Sequence, residues 1–224
     1  MANFNTHVAV AAVVSTGAAA VATVAHLIDY AQTPWLVFLG VIGGMLPDID
    51  ANNSRPVRLL FNLLGLIAAA AVLQAVKERI VSYQVLTLAG MAYLGVRYGL
   101  FALFAKLTDH RGVFHSLLAG LFFVLLATCI SHYLLHWTAL YSWLNGVFVG
   151  IGFIVHLVLD ECYSVNLANA RMKKSFGTAF KLCSYTSITA TLLMLACTVA
   201  AYWSAPSVMP LVKAIKAGAW GAYF

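Results

Sequence analysis

Residues 140–160 read LYSWLNGVFVGIGFIVHLVLD, 21 consecutive positions without Lys, Arg or Glu and with a single Asp at the last. A helix rising 1.5 Å per residue needs roughly 20 apolar residues to cross a hydrocarbon layer about 30 Å thick. The stretch therefore reads as a membrane-spanning helix that carries His156 and Asp160 near one end. Working outward, comparable apolar runs lie near 8–28, 57–76, 80–105, 113–135 and 184–203. A shorter run over 35–46 contains Gly40, Gly43 and Gly44 and stops at Pro47, which reads as a short span or a re-entrant segment. The expected fold is all-α, a polytopic membrane helix bundle of six to seven transmembrane segments.

Composition agrees. The 224 residues are 62% apolar and 9% charged, with a mean hydropathy of +0.90, whereas a water-facing domain carries roughly 25% charged residues. The 13 basic and 7 acidic side chains cannot build a solvated surface, which excludes an ordinary soluble domain. Cys129, Cys162, Cys183 and Cys197 are scattered through apolar stretches and read as packing residues. MANFNTH at the start has no Lys or Arg, so a retained N-terminus is expected. No internal repeat or alternating strand pattern competes with helices. An integral domain over 1–203 is expected, followed by an interfacial tail over 204–224 containing Pro206, Pro210, Lys213, Lys216 and Trp220.

The net charge of +6 lies in short segments between apolar runs, which fits membrane orientation and gives no reason to expect a nucleic-acid partner. Counting seven spans places Arg55, Arg58, Lys106, Arg111, Arg171, Lys173, Lys174 and Lys181 on one side, and Lys77, Arg79, Lys213 and Lys216 on the other, with Arg97 inside a helix. The richer side is expected to be cytoplasmic. Trp35, Trp137, Tyr141, Trp143, Tyr202 and Trp203 then form an aromatic belt at the opposite interface.

A charged side chain at mid-membrane costs about 2.5–3.5 kcal/mol on insertion scales, so the few ionisable residues carry information. Four places collect them: His7; Asp48 and Asp50 in LPDID; Asp109, His110 and His115 in DHRGVFHS; and His156, Asp160 and Glu161 in HLVLDE. All four fall on the same expected face. His156 and Asp160, four apart, share one helix face and can bind one ion together, or make a simple helix-end hydrogen bond. Asp48 and Asp50 can reach one ion, bridge two, or serve as a capping pair. The candidate ligands are His7, Asp48, Asp50, His110, His115, His156 and Asp160. Zinc favours such nitrogen and oxygen donors, with manganese and iron as alternatives, and the set is large enough for one or two ions. Two metal ions would polarise a phosphoryl oxygen and generate hydroxide from bound water. Arg111 could clamp a phosphate or anchor orientation; Ser116 could orient a substrate or cap a helix; Arg55 reads as a headgroup or orientation charge. A second group, His26, Asp29, His132 and His136, lies toward the opposite face among aromatic residues and reads as an interfacial belt.

The pieces Thr6–His7, LPDID with Ser54 following, HRGVFHS at 110–116 and HLVLD at 156–160 resemble, in order and spacing, the YdjM-like family of LexA-binding, inner-membrane-associated metal-dependent hydrolases. The resemblance implies a bacterial inner-membrane protein with a metal-dependent hydrolase site. The motif order is loosely similar to that of zinc-dependent phospholipase C proteins, which favours phosphoester bonds by analogy. Phe114 stands where the family usually has threonine, and Glu161-Cys162-Tyr163 replaces a smaller continuation, so the pocket should differ in shape and polarity. The function expected is a phosphoesterase acting on a lipid or lipid-linked phosphate at the cytoplasmic leaflet. Asp48, Asp50 and Arg111 would be catalytic, with Arg111, Ser116 and Arg55 touching substrate. The alternatives are an ion- or proton-coupled transporter, or a non-enzymatic adaptor with a structural metal.

Overall fold

The computed structural model describes residues 3–50, 55–76, 82–102, 113–166, 171–172, 181–183 and 187–221. Its helices are α1 (Phe4–Val24), α2 (Thr33–Met45), α3 (Arg55–Val76), α4 (Ser82–Leu94), α5 (Leu117–Tyr133), α6 (Ala139–Ser164), α7 (Ile188–Ser204) and α8 (Met209–Gly221). Short 3-10 turns occupy Tyr30–Gln32 and Leu46–Asp50, and a π-helical turn, Gly95–Leu100, follows α4. A two-residue antiparallel ladder pairs β1 (Val165–Asn166) with β2 (Arg171–Met172), Val165 opposite Met172. The chain divides into two compact units, residues 1–47 with 113–224, and residues 48–112.

The all-helical architecture agrees with the expectation, while the described residues supply fewer spans than the six to seven expected. Among the described residues three helices are long and apolar enough to cross a bilayer: Phe4–Val24, Val57–Val76 and Ala139–Tyr163. A fourth is obtained if Ile188–Ser204 and Met209–Gly218, bent by 74°, count as one. The apolar runs fall at their places; α2 is short, as its run predicts, and the α-helices in the runs near 80–105, 113–135 and 184–203 are shorter than those runs. α2 has 13 residues, roughly 20 Å of helix, because the chain tightens into a 3-10 turn at Leu46 ahead of the polar Asp48. α5 begins only at Leu117, where Ser116 caps it, and has 17 residues. The run near 80–105 passes from α4 into the π-turn after 13 residues.

In the first unit, α1, α2 and α6 meet at backbone distance. The buried face of α1 is His7 followed by a stripe of small residues at helical spacing, Ala11, Ser15, Ala19 and Ala22. It receives Gly40 and Gly44 of α2; a Cβ on Gly44 would lie 2.7 Å from the Ala11 Cβ. On the other side of α2, a Cβ on Gly43 would sit 2.1 Å from the Val149 carbonyl oxygen, and one on Gly152 would sit 1.8 Å from that of Gly40. Without a hydrophobic driving force inside lipid, close packing of small residues is what holds helices together.

α5 lies antiparallel to α6, with Gly120 against Phe153 and Val124 against Gly146 and Gly150. The amides of Leu117 and Leu118 donate to the carbonyls of Lys181 and Leu182, so the start of α5 is closed by the strand of chain that leads to α7. At the far end, Tyr133 donates to the Ser204 carbonyl at 2.7 Å, and Trp143 Nε1 to that of Pro206 at 2.9 Å. These two bonds pin the bend between α7 and α8. Ile188, Leu192, Leu193 and Trp203 of α7 are exposed, the lipid face that such a helix requires. In the second unit, α3 packs against α4 and the π-turn as a helical hairpin.

Candidate metal centre

The first unit brings together four of the seven expected ligands at one end of its helices. His7 is the fourth residue of α1, His156 and Asp160 come from the last third of α6, and His115 precedes the α5 cap. All four are nearly closed to solvent: His7 is 3% exposed, His115 4%, His156 0% and Asp160 7%. Three imidazole Nε2 atoms face the Asp160 carboxylate, His7 at 3.2 Å from Oδ1, His156 at 3.8 Å and His115 at 3.9 Å from Oδ2. The rings of His7 and His156 stack at 3.8 Å with an 11° interplanar angle, and His115 meets His156 edge-on at 5.7 Å.

The i,i+4 pairing of His156 with Asp160 is the expected helical geometry, and its orientation is set from α2. His156 Nδ1 donates to the Gly44 carbonyl oxygen at 2.7 Å. That bond places a proton on Nδ1 and turns Nε2 toward Asp160. A metal-ligating histidine ordinarily makes this kind of bond, its second nitrogen donating to a backbone carbonyl or carboxylate. The Gly40, Gly43 and Gly44 packing brings the carbonyl within reach.

These residues fit a divalent cation. Donor atoms of His7, His156 and Asp160 all lie within 4.8 Å of one another, compatible with convergence on an ion bound at about 2.0–2.2 Å. His7 Nδ1 is buried without a hydrogen-bond partner among the described residues, a cost of about 1–3 kcal/mol accepted in placing its ring here. Imidazole and carboxylate donors suit zinc, manganese or iron alike.

The remaining predicted residues are distributed otherwise. Asp48 lies half-buried in the 3-10 turn Leu46–Asp50, at the start of the second unit, and Asp50 closes that turn. Arg55 opens α3. His110 and Arg111 lie outside the described residues. Ser116 is fully buried as the N-cap of α5: its hydroxyl donates to the Val113 carbonyl at 2.5 Å and accepts from the Ala119 amide at 3.3 Å. Phe114, the departure from the family pattern, is half-buried, its ring tilted by 31° at 6.1 Å from that of Phe123.

The opposing group does not converge. His132 Nδ1 is bonded to the Trp137 carbonyl at 3.0 Å. His26 and His136 occupy left-handed turn positions, each with φ of 55°, beyond the ends of α1 and α5. Asp29 caps the Tyr30–Gln32 turn with Gln32. What sequence reasoning missed is the Gly44 carbonyl, a backbone partner whose only trace was a pair of glycines one turn before LPDID.

Comparison with known proteins adds the family. No curated protein and no solved structure matches the chain. A family model described as YdjM inner membrane protein matches residues 1–215, nearly the full length, and covers every candidate ligand. The apolar helices and this match together place the molecule in the inner membrane, and the chain belongs to the YdjM inner membrane protein family.

Proposed function

We propose that the chain is a membrane-embedded metal-dependent hydrolase, a phosphoesterase acting on a lipid or lipid-linked phosphate at the cytoplasmic leaflet. The observation that carries the reading is the convergence of three imidazole Nε2 atoms on one buried carboxylate, at one end of a membrane helix bundle, with His156 held by a backbone carbonyl. Three histidines closed to water around one carboxylate gain little without an ion; three that share an ion gain its ligation energy.

His7, His115, His156 and Asp160 would hold the ion. When bound, it supplies Lewis acidity, polarising a phosphoryl oxygen and making water acidic enough to lose a proton near neutral pH. The Gly44 carbonyl keeps the His156 ring in its ligating tautomer. Asp48, Asp50 and His110 are assigned by motif order to a second ion, and Arg111 to the phosphate, where its planar fork pairs with two oxygens. Arg55 is assigned to the substrate headgroup, and Ser116 acts through its cap by fixing where His115 stands. The excess of Lys and Arg in the connections that the sequence pattern assigns to the ligand-bearing face supports a cytoplasmic orientation.

The test is metal content by mass spectrometry of the purified full chain, paired with hydrolysis of phosphatidic acid and a polyprenyl phosphate. The expected result is at least one tightly held divalent ion, with turnover falling about 100-fold or more in His156→Ala and Asp160→Asn. Turnover that survives loss of the ion would overturn the mechanism. An ion held without any phosphoester being cleaved would reduce the centre to a structural one.

A further inference from the structure

Arg97 is the one basic residue that the sequence places inside an apolar helix, and the metal centre makes no use of it. It sits in the π-turn Gly95–Leu100, half-buried, and its Nε donates to Asn62 Oδ1 on α3. Tyr93, one turn earlier on α4, donates its hydroxyl to the same oxygen at 3.3 Å. The guanidinium carbon lies 4.9 Å from the Tyr98 ring and 5.8 Å from Phe101, which itself packs edge-on against Phe61 at 5.4 Å. Among the described residues no carboxylate pairs with it.

A guanidinium stays protonated in proteins and carries five N–H donors. Here one is taken by Asn62, the flat face is supported by aromatic rings, and the outer fork is left for something else. Such an arrangement is costly in an apolar helix unless an anion completes it. Arg58 is exposed and precedes Asn62 by four residues, so it lies on the same face of α3. Asn62 is seven residues into α3, roughly 10 Å along the axis, where long cationic side chains reach up to the phosphate level of a bilayer. The π-turn shifts the helix register locally, as such turns do at functional positions.

We infer that Arg97, oriented by Asn62 and Tyr93 and joined by Arg58, forms a phosphate-binding site on the α3–α4 hairpin that uses none of the candidate metal ligands. Phosphate geometry matches a bidentate guanidinium fork, and two guanidiniums beside an amide supply donors around one tetrahedral anion. The same chemistry is offered by a phospholipid headgroup and by free phosphate.

The experiment is native mass spectrometry of the full chain in detergent, with EDTA present so that the imidazole centre contributes no metal-borne affinity. Dihexanoyl phosphatidic acid and inorganic phosphate serve as separate probes. The expected result is saturable binding that weakens about tenfold in Arg97→Gln and several-fold in Arg58→Gln. Displacement of the lipid by millimolar phosphate identifies phosphate as the ligand, and its failure to displace identifies the headgroup. Arg58 is at the surface, so its variant keeps the fold even if Arg97→Gln does not. Unchanged binding in Arg58→Gln, or no binding of either probe to the wild type, would overturn the site.

Discussion

The two ends of the first unit carry the same kinds of side chain and use them oppositely. At one end His7, His115 and His156 turn their Nε2 atoms toward a single carboxylate. At the other, polar groups are satisfied by the protein itself: His132 by the Trp137 carbonyl, Trp143 by Pro206, Tyr133 by Ser204, and Asn145 between Trp35 and Ser131. Both ends contain a four-residue spacing, His132 to His136 and His156 to Asp160. Only the second lies inside a continuous helix, because α5 ends at Tyr133 and His136 turns away with φ of 55°. Spacing names a shared face only where the helix persists through both residues.

The sharpest way to break this contrast is to remove ligands at each end. His156→Ala and Asp160→Ala should abolish metal retention, measured as ions per chain, whereas His132→Ala and His136→Ala should leave it at the wild-type value. Equal losses at both ends would dissolve the distinction.

Next in size is the packing that presents the Gly44 carbonyl. In Gly152→Val the new Cβ would fall 1.8 Å from the Gly40 oxygen, and neither backbone can yield without separating α2 from α6. A loss of about 3 kcal/mol is expected in detergent unfolding, with metal retention falling alongside because the His156 partner moves. Gly17→Val, whose Cβ would meet nothing within 4 Å, is the control and should be near neutral.

Smaller effects are expected from the self-satisfied end. Asn145 is fully buried and bridges Ser131 and Trp35, so Asn145→Ala should cost about 1–3 kcal/mol through the groups left unpaired. Metal content should not change. Smallest is the first cap: Asn3 accepts from the Thr6 amide at 2.8 Å, and Asn3→Ala should lower stability by about 1 kcal/mol, read as a shift of the thermal transition.

Much of this was legible in the sequence because the signals were strong ones. An apolar run such as 140–160 admits few structures other than a helix in lipid, and a rare His or Asp within it stands out against its surroundings. His7, His115, His156 and Asp160 were therefore selected by chemical scarcity and then found together. The number of spans was not legible, since hydropathy marks where a helix can sit and says little about where it stops. The stop of α2 before Pro47 and a capping role for Ser116 could be read from residue types, but the passage of α4 into a π-helical turn after 13 residues could not. Nor was the Gly44 carbonyl legible, because a backbone acceptor has no residue type; the glycines around it speak of close approach without saying to what. Arg97 was noticed as an exception to its helix, but its partners Asn62 and Tyr93 lie 35 and 4 residues away, and only the folded hairpin joins them.

The most direct measurement is anomalous X-ray diffraction at the zinc edge from crystals of the full chain grown with zinc. A peak bonded to Nε2 of His7 and His156 and to the Asp160 carboxylate, with His115 completing the shell, is the predicted result. A zinc-loaded crystal with no density among those four side chains, or with the ion held by His26 and His132 instead, would contradict the assignment.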